Sequence, residues 1–159
     1  MALNVRRVVT GHDKNGKAVV RIDDVKANCA PGRTNQERQN IWSTDDLPVH
    51  FAEDSEDKGA RQLATTIPGG SVFRVVEFGP NCAPRNHRTD SIDYAVVISG
   101  EIDMVMETGT VRLKAGDVMV QRGTIHDWVN NGTVPCVIAF ALIGAKPVAS
   151  GSQTLKAQG

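Results

Sequence analysis

Apolar and polar residues alternate along much of this chain with a period of two. In the run Glu101–Met106, Ile102, Met104 and Met106 share one face and Asp103 and Val105 the other, because successive side chains of an extended chain point to opposite sides. From Ser71 onward such runs follow one another: SVFRVVEF, DYAVVIS, EIDMVM, TVRLK, DVMVQ, HDWVN and CVIAFALI. Turns at Ser99–Glu101, Glu107–Gly109, Ala115–Asp117, Arg122–Thr124 and Asn130–Pro135 separate them. Short strands at regular intervals predict an antiparallel sandwich or barrel. No segment carries a helical apolar repeat over about three turns, so the fold class is all-β.

Residues 1–70 are less regular. Val5–Val9 and Ala18–Ile22 flank a polar segment whose Asn15-Gly16 pair predicts a hairpin. Residues 28–40 are polar and read as a loop, and Ile41–Ser43 as a short strand. The acidic run 52–60 reads as a solvated loop or one helical turn. The last ten residues, SGSQTLKAQG, read as a frayed tail. The length suits one domain over 1–159, with an N-terminal arm 1–70, a core 71–145 and a tail 146–159.

Charge narrows the function. Lys plus Arg and Asp plus Glu are both 18, giving zero net charge. Nucleic acids and anionic membranes need a surplus of positive charge, so neither is an expected partner. Weak self-repulsion favours association. Oligomerisation is therefore expected, with the N-terminal strands free to join a partner or cover a sheet edge. Cys29, Cys82 and Cys136 lack CxxC spacing and read as reduced thiols, the latter two as core fillers. The N-terminus lacks a signal-peptide pattern and no 18-residue window is apolar, so a cytoplasmic protein is expected.

The chemistry concentrates between Gly79 and Asn130. His87 follows a Pro- and Asn-containing segment, Asp93 stands six residues later at the start of an apolar strand, and His126 opens another. Two histidines and a carboxylate are the donor set of open-sided Fe, Mn or Zn sites. These stretches resemble the two signature motifs of the cupin superfamily. The first appears as His87-Arg88-Thr89, three residues, Asp93, six residues, Gly100. The second appears as Gly116 through Gly123, two residues, His126, three residues, Asn130. Thr89 stands where the family has a second histidine and Asp93 where it has Glu or Gln; the second motif lacks its proline and is one residue short before Gly123.

The chain is thus similar to small single-domain cupins with a degenerate first motif. The resemblance implies a jelly-roll β-barrel with N-terminal extension strands, a metal or substrate inside, and a homodimer paired through sheet edges. It implies His87, Asp93 and His126 as catalytic residues and as ligands of a divalent transition metal, Mn, Fe, Ni or Zn. No nucleotide cofactor is expected. Arg74, Thr89, Gln121 and Trp128 are candidates for substrate contact. Arg74 interrupts an apolar strand as an anion anchor or as a partner of Glu77 or Asp103. Gln121 lines the cavity or is exposed, Tyr94 points outward, and Trp42 and Trp128 pack in the core or wall a pocket. The activity implied is lyase-type: decarboxylation, dehydration or isomerisation of an oxygenated organic acid, a polyketide-like or a sugar-like substrate, with or without metal. The alternatives are a non-catalytic binding or sensing module and an Fe-dependent dioxygenase.

Overall fold

The structure is a computed structural model that describes residues 3–26, 32–51 and 56–159. Cys29 and part of the acidic run lie outside the described residues. Among the described residues twelve strands run β1 Val5–His12, β2 Ala18–Lys26, β3 Gln36–Thr44, β4 Ser71–Phe78, β5 Ser91–Ser99, β6 Glu101–Met106, β7 Gly109–Lys114, β8 Val118–Gln121, β9 Asp127–Val129, β10 Cys136–Gly144, β11 Val148–Ser150 and β12 Gln153–Leu155. No helix occurs among the described residues, and none is therefore long and apolar enough to cross a membrane.

A five-stranded sheet in the order β3-β4-β10-β5-β8 faces a three-stranded sheet in the order β7-β6-β9, with every pairing antiparallel. Between them lies a core of Val72, Val76 and Phe78 from β4, Ile138, Phe140 and Leu142 from β10, Ile102 and Met104 from β6, and Trp128 from β9. The alternation seen in sequence is the cause: in β10, Cys136, Ile138, Phe140 and Leu142 point in while Val137, Ala139 and Ala141 point out. Cys82 and Cys136 are buried free thiols, and burial pushes the Cys136 thiol up to about 12. At the β5–β6 turn Gly100 has φ 73°, and a Cβ there would meet Cys136 Cα at 2.9 Å. Only glycine combines that backbone with that approach.

Of the segment 28–40 expected as a loop, residues 28–31 lie outside the described residues, 32–35 are irregular, and 36–40 form a strand. β3 starts at Gln36 and pairs with β4 along its length, from Gln36 opposite Phe78 to Thr44 opposite Ser71. Its polar residues disguise a strand because one face looks onto a polar cavity rather than an apolar core. β1 and β2 form the predicted hairpin, starting at Val5 and Ala18 as expected and each running longer at its C-terminal end, to His12 and Lys26. They are held by Arg7, whose buried guanidinium bonds Asp24 at 2.6 Å and Asp57 at 2.7 Å. Leu3 and Val5 pack on Ile41, Val75, Val137 and Ala139, so this end of the chain covers part of the outer face of the large sheet.

The tail is also not frayed. β11 and β12 pair with each other, and Gln158 forms a reciprocal backbone bridge with Arg88. Arg85 Nη2 donates to the Gly159 carbonyl at 2.8 Å, drawing the tail against the segment that carries His87.

Candidate active site

Strand parity and one backbone bridge bring the chemical residues together. Asp93 in β5 follows the inward series Ser91, Asp93, Ala95 and Val97, while Tyr94, Val96 and Ile98 are exposed, as expected for Tyr94. Arg74 in β4 lies on the inward face with Val72, Val76 and Phe78. His87 and His126 sit outside the named strands but bond each other through the main chain, N to O in both directions at 2.9 Å. Their imidazole centroids are 4.4 Å apart, and the two residues are 8% and 2% exposed.

The result is a cavity of about 70 Å³ lined by Arg74, His87, Thr89, Asp93, His126 and Trp128, among others. One water needs about 10–15 Å³ on this measure, so the space takes a compact ligand. Six of the seven singled-out residues thus line one cavity. Gln121 does not. Its backbone stands opposite Asp93 in β8, but its carboxamide is spent behind the cavity on Thr124 and His126. Trp42 lines a separate groove with Val9 and Ile22.

Arginine dominates the lining: Arg33, Arg38, Arg74 and Arg85 against one carboxylate, Asp93. Arg33, Arg38, Arg85 and Gln36 are absent from the sequence-derived set. The available signal was spacing, since Gln36 and Arg38 share one face of an extended chain and Arg85 stands two residues before His87. Arg74 is 5% exposed and donates through Nη2 to the Ala64 carbonyl at 2.7 Å, whereas its buried Nε has no partner. It pairs with neither Glu77, three residues on and of opposite parity, nor Asp103, which bonds Arg112 at 2.8 Å. Burial pulls its guanidinium down to about 10, with Arg38 and Arg85 adding to the fall and Asp93 opposing it.

The other titrating groups are tuned by desolvation. Burial pushes the Asp93 carboxyl up to about 6, against the pull of the Ser91 hydroxyl and Arg74. Ser91 Oγ donates to Asp93 Oδ1 at 2.5 Å and lies 2.9 Å from Thr89 Oγ1. Burial lowers His87 to about 4, partly offset by the Arg85 carbonyl. It lowers His126 as well, partly offset by the Thr124 carbonyl. Both histidines are therefore neutral at pH 7, while Asp93 titrates near it.

The set does not fit a resident metal ion. Among the described residues no group of three or more His, Cys, Asp or Glu side chains is disposed to hold one. His87, Asp93 and His126 share one cavity. With Thr89 in the motif's second-histidine position, the donor that would close such a set is missing. What remains can bind an anion and move protons.

The comparisons with known proteins agree with the fold. The family profile of the cupin domain matches residues 74–142. The cupin-domain-containing oxidoreductase virC of Hypocrea virens is 35% identical over 149 residues, 89% of this chain and 77% of that protein. The cupin-domain-containing oxidoreductase fogC of Aspergillus ruber is 37% identical over 157 residues, 91% of this chain and 74% of that protein. Among solved structures, the cupin domain of Schizosaccharomyces pombe Cnp3 superposes with TM-score 0.53 at 13% identity, over 88% of this chain and 89% of that one. Barrel, motif spacing and relatives concur: the chain belongs to the cupin family.

Proposed function

We propose that this protein is a small-molecule cupin enzyme that binds a compact oxygenated organic acid in its barrel and transfers a proton on it, in a lyase-type reaction. The observation that carries this reading is the cavity's composition: arginines facing two neutral histidines and one carboxyl that titrates near 6. The unpartnered Arg74 Nε calls for an acceptor, and a carboxylate supplies one in the planar geometry guanidinium prefers. With the acid so held, a neutral histidine takes a proton from the carbon beside its carbonyl. The resulting enolate is stabilised by the arginine charge, and Asp93 in its protonated form returns a proton to the leaving or accepting oxygen. Dehydration and isomerisation both balance on this exchange, because the proton removed by one side chain is matched by the one donated from another.

The test is deuterium exchange in heavy water with a panel of 3-keto and 3-hydroxy acids and their amides. We expect exchange above the buffer rate for at least one acid and none for its amide. His87→Ala should abolish it and Arg74→Met should weaken it at least tenfold. Tight acid binding without exchange points instead to a sensing module, and no binding by any acid overturns the reading. The names of the relatives favour one second reading, an oxidoreductase. Oxygen uptake with the same acids in the presence of Fe(II) would mark it.

Two copies associating through the outer face of the large sheet complete the proposal. Tyr94, Val96, Ile98, Val118 and Val120 are 50%, 39%, 54%, 77% and 57% exposed on β5 and the edge strand β8. The hairpin's Val8, Val20 and Val25 are exposed as well, interleaved with the Arg6–Asp23 ion pair, and a second copy of this chain is the occupant proposed for the β5–β8 face.

A further inference from the structure

His87 and His126 have the same chemical formula but unlike surroundings, and the difference is fixed by Gln121. His126 Nδ1 has two polar neighbours, Gln121 Nε2 at 2.9 Å and the Thr124 carbonyl at 3.0 Å. They ask for opposite protonation states. The orientation of the Gln121 carboxamide decides between them. Its Oε1 accepts from the Thr124 backbone N–H at 3.0 Å and from the Thr124 hydroxyl at 2.7 Å. A backbone N–H can only donate, so the oxygen must face Thr124 and the amide NH₂ must face His126. Turning the amide over would set an NH₂ against an N–H in a site where Gln121 is 3% exposed. Gln121 therefore donates to His126 Nδ1, and the neutral ring carries its proton on Nε2. At His87 the constraint is reversed. Its Nδ1 meets the Arg85 carbonyl at 2.9 Å, which can only accept. That ring carries its proton on Nδ1 and keeps the lone pair on Nε2.

We infer that Gln121 is a positioning residue that makes the two cavity histidines an unlike pair, His126 offering an N–H and His87 offering a lone pair. The ligand class follows, resting on the cavity being the substrate site as proposed above. A single oxygen that meets both rings must accept one hydrogen bond and donate another. A hydroxyl or an enol does both, an ether or a carboxylate oxygen does not. The acid bound here thus carries a hydroxyl, or a carbonyl that becomes one as the proton moves. The same tautomer explains the poor fit to a metal ion, since a protonated Nε2 has no lone pair to coordinate with.

Two-bond ¹H–¹⁵N correlation of the imidazoles at pH 7.5 reads the tautomers directly in ligand-free protein, with His12 and His50 removed by substitution to simplify the spectrum. We expect the Nε2–H pattern for His126 and the Nδ1–H pattern for His87. Gln121→Glu replaces the donor by a pure acceptor and should switch His126 to Nδ1–H while leaving His87 unchanged. Should that variant not fold, the wild-type pattern together with Gln121→Leu, in which Thr124 alone meets Nδ1 and the same switch is expected, decides the matter. An Nδ1–H pattern for His126 in the wild type, or no change in a folded variant, overturns the inference. Phenol should perturb both ring signals at concentrations where anisole perturbs neither; equal effects of the two overturn the hydroxyl assignment. None of these readouts needs turnover, so they stand apart from the exchange assay.

Discussion

Asp93 costs the fold stability where it serves the site. Its folded-state pKa is about 6 against an ordinary 3.8, so the penalty is absent below 3.8 and complete once pH rises through 6. Each tenfold change in proton affinity is worth about 1.4 kcal/mol, which sets an upper limit of about 3 kcal/mol. Asp93→Asn should raise stability by about 1–3 kcal/mol at pH 8, with the gain gone near pH 4, as urea midpoints at the two pH values will show. His87 acts with the other sign. Its folded pKa of about 4 lies below the ordinary 6.5, so stability is lost as pH falls from 6.5 towards 4. In the Asn variant that histidine slope should remain and the opposing slope should vanish. The sequence showed that these two residues and His126 belong together, because motif spacing and strand parity are one-dimensional. It could not show that Gln121 serves His126 rather than the cavity, since that depends on which way a carboxamide turns.

The apolar strands β4 and β6 lie on the limits read from sequence. β3 does not, and the reason is physical: a strand facing a polar cavity need not be apolar, so Gln36, Arg38 and Asn40 looked like loop. The tail is a similar case, since β11 and β12 pair as a two-stranded ribbon with mostly exposed side chains. Two tests belong at this level. Arg7→Met removes a buried guanidinium that joins β1 to Asp24 and Asp57. Amide exchange should quicken in β1 and β2 and stay unchanged in β4 and β10. Gly123 has φ 63° and lies where a Cβ would come 2.8 Å from Val148 Cγ2. Gly123→Ala should cost about 1–2 kcal/mol, read as a lowered thermal midpoint.

At the scale of the whole molecule, the hairpin covers one part of the outer sheet face and leaves β5 and β8 bare. Light scattering at tens of micromolar should report a dimer, and Val118→Asp with Val120→Asp should yield a monomer with the barrel intact. A monomeric wild type rules out association through this face. The main-chain bridge between His87 and His126 has a consequence for descent. Because reciprocal backbone hydrogen bonds set where these two positions stand, either side chain can be exchanged without displacing the other's Cα. The barrel thereby works as a socket with interchangeable reactive groups. With Thr89 in place of the second motif histidine, the remaining pair keeps its position through main-chain bonds alone.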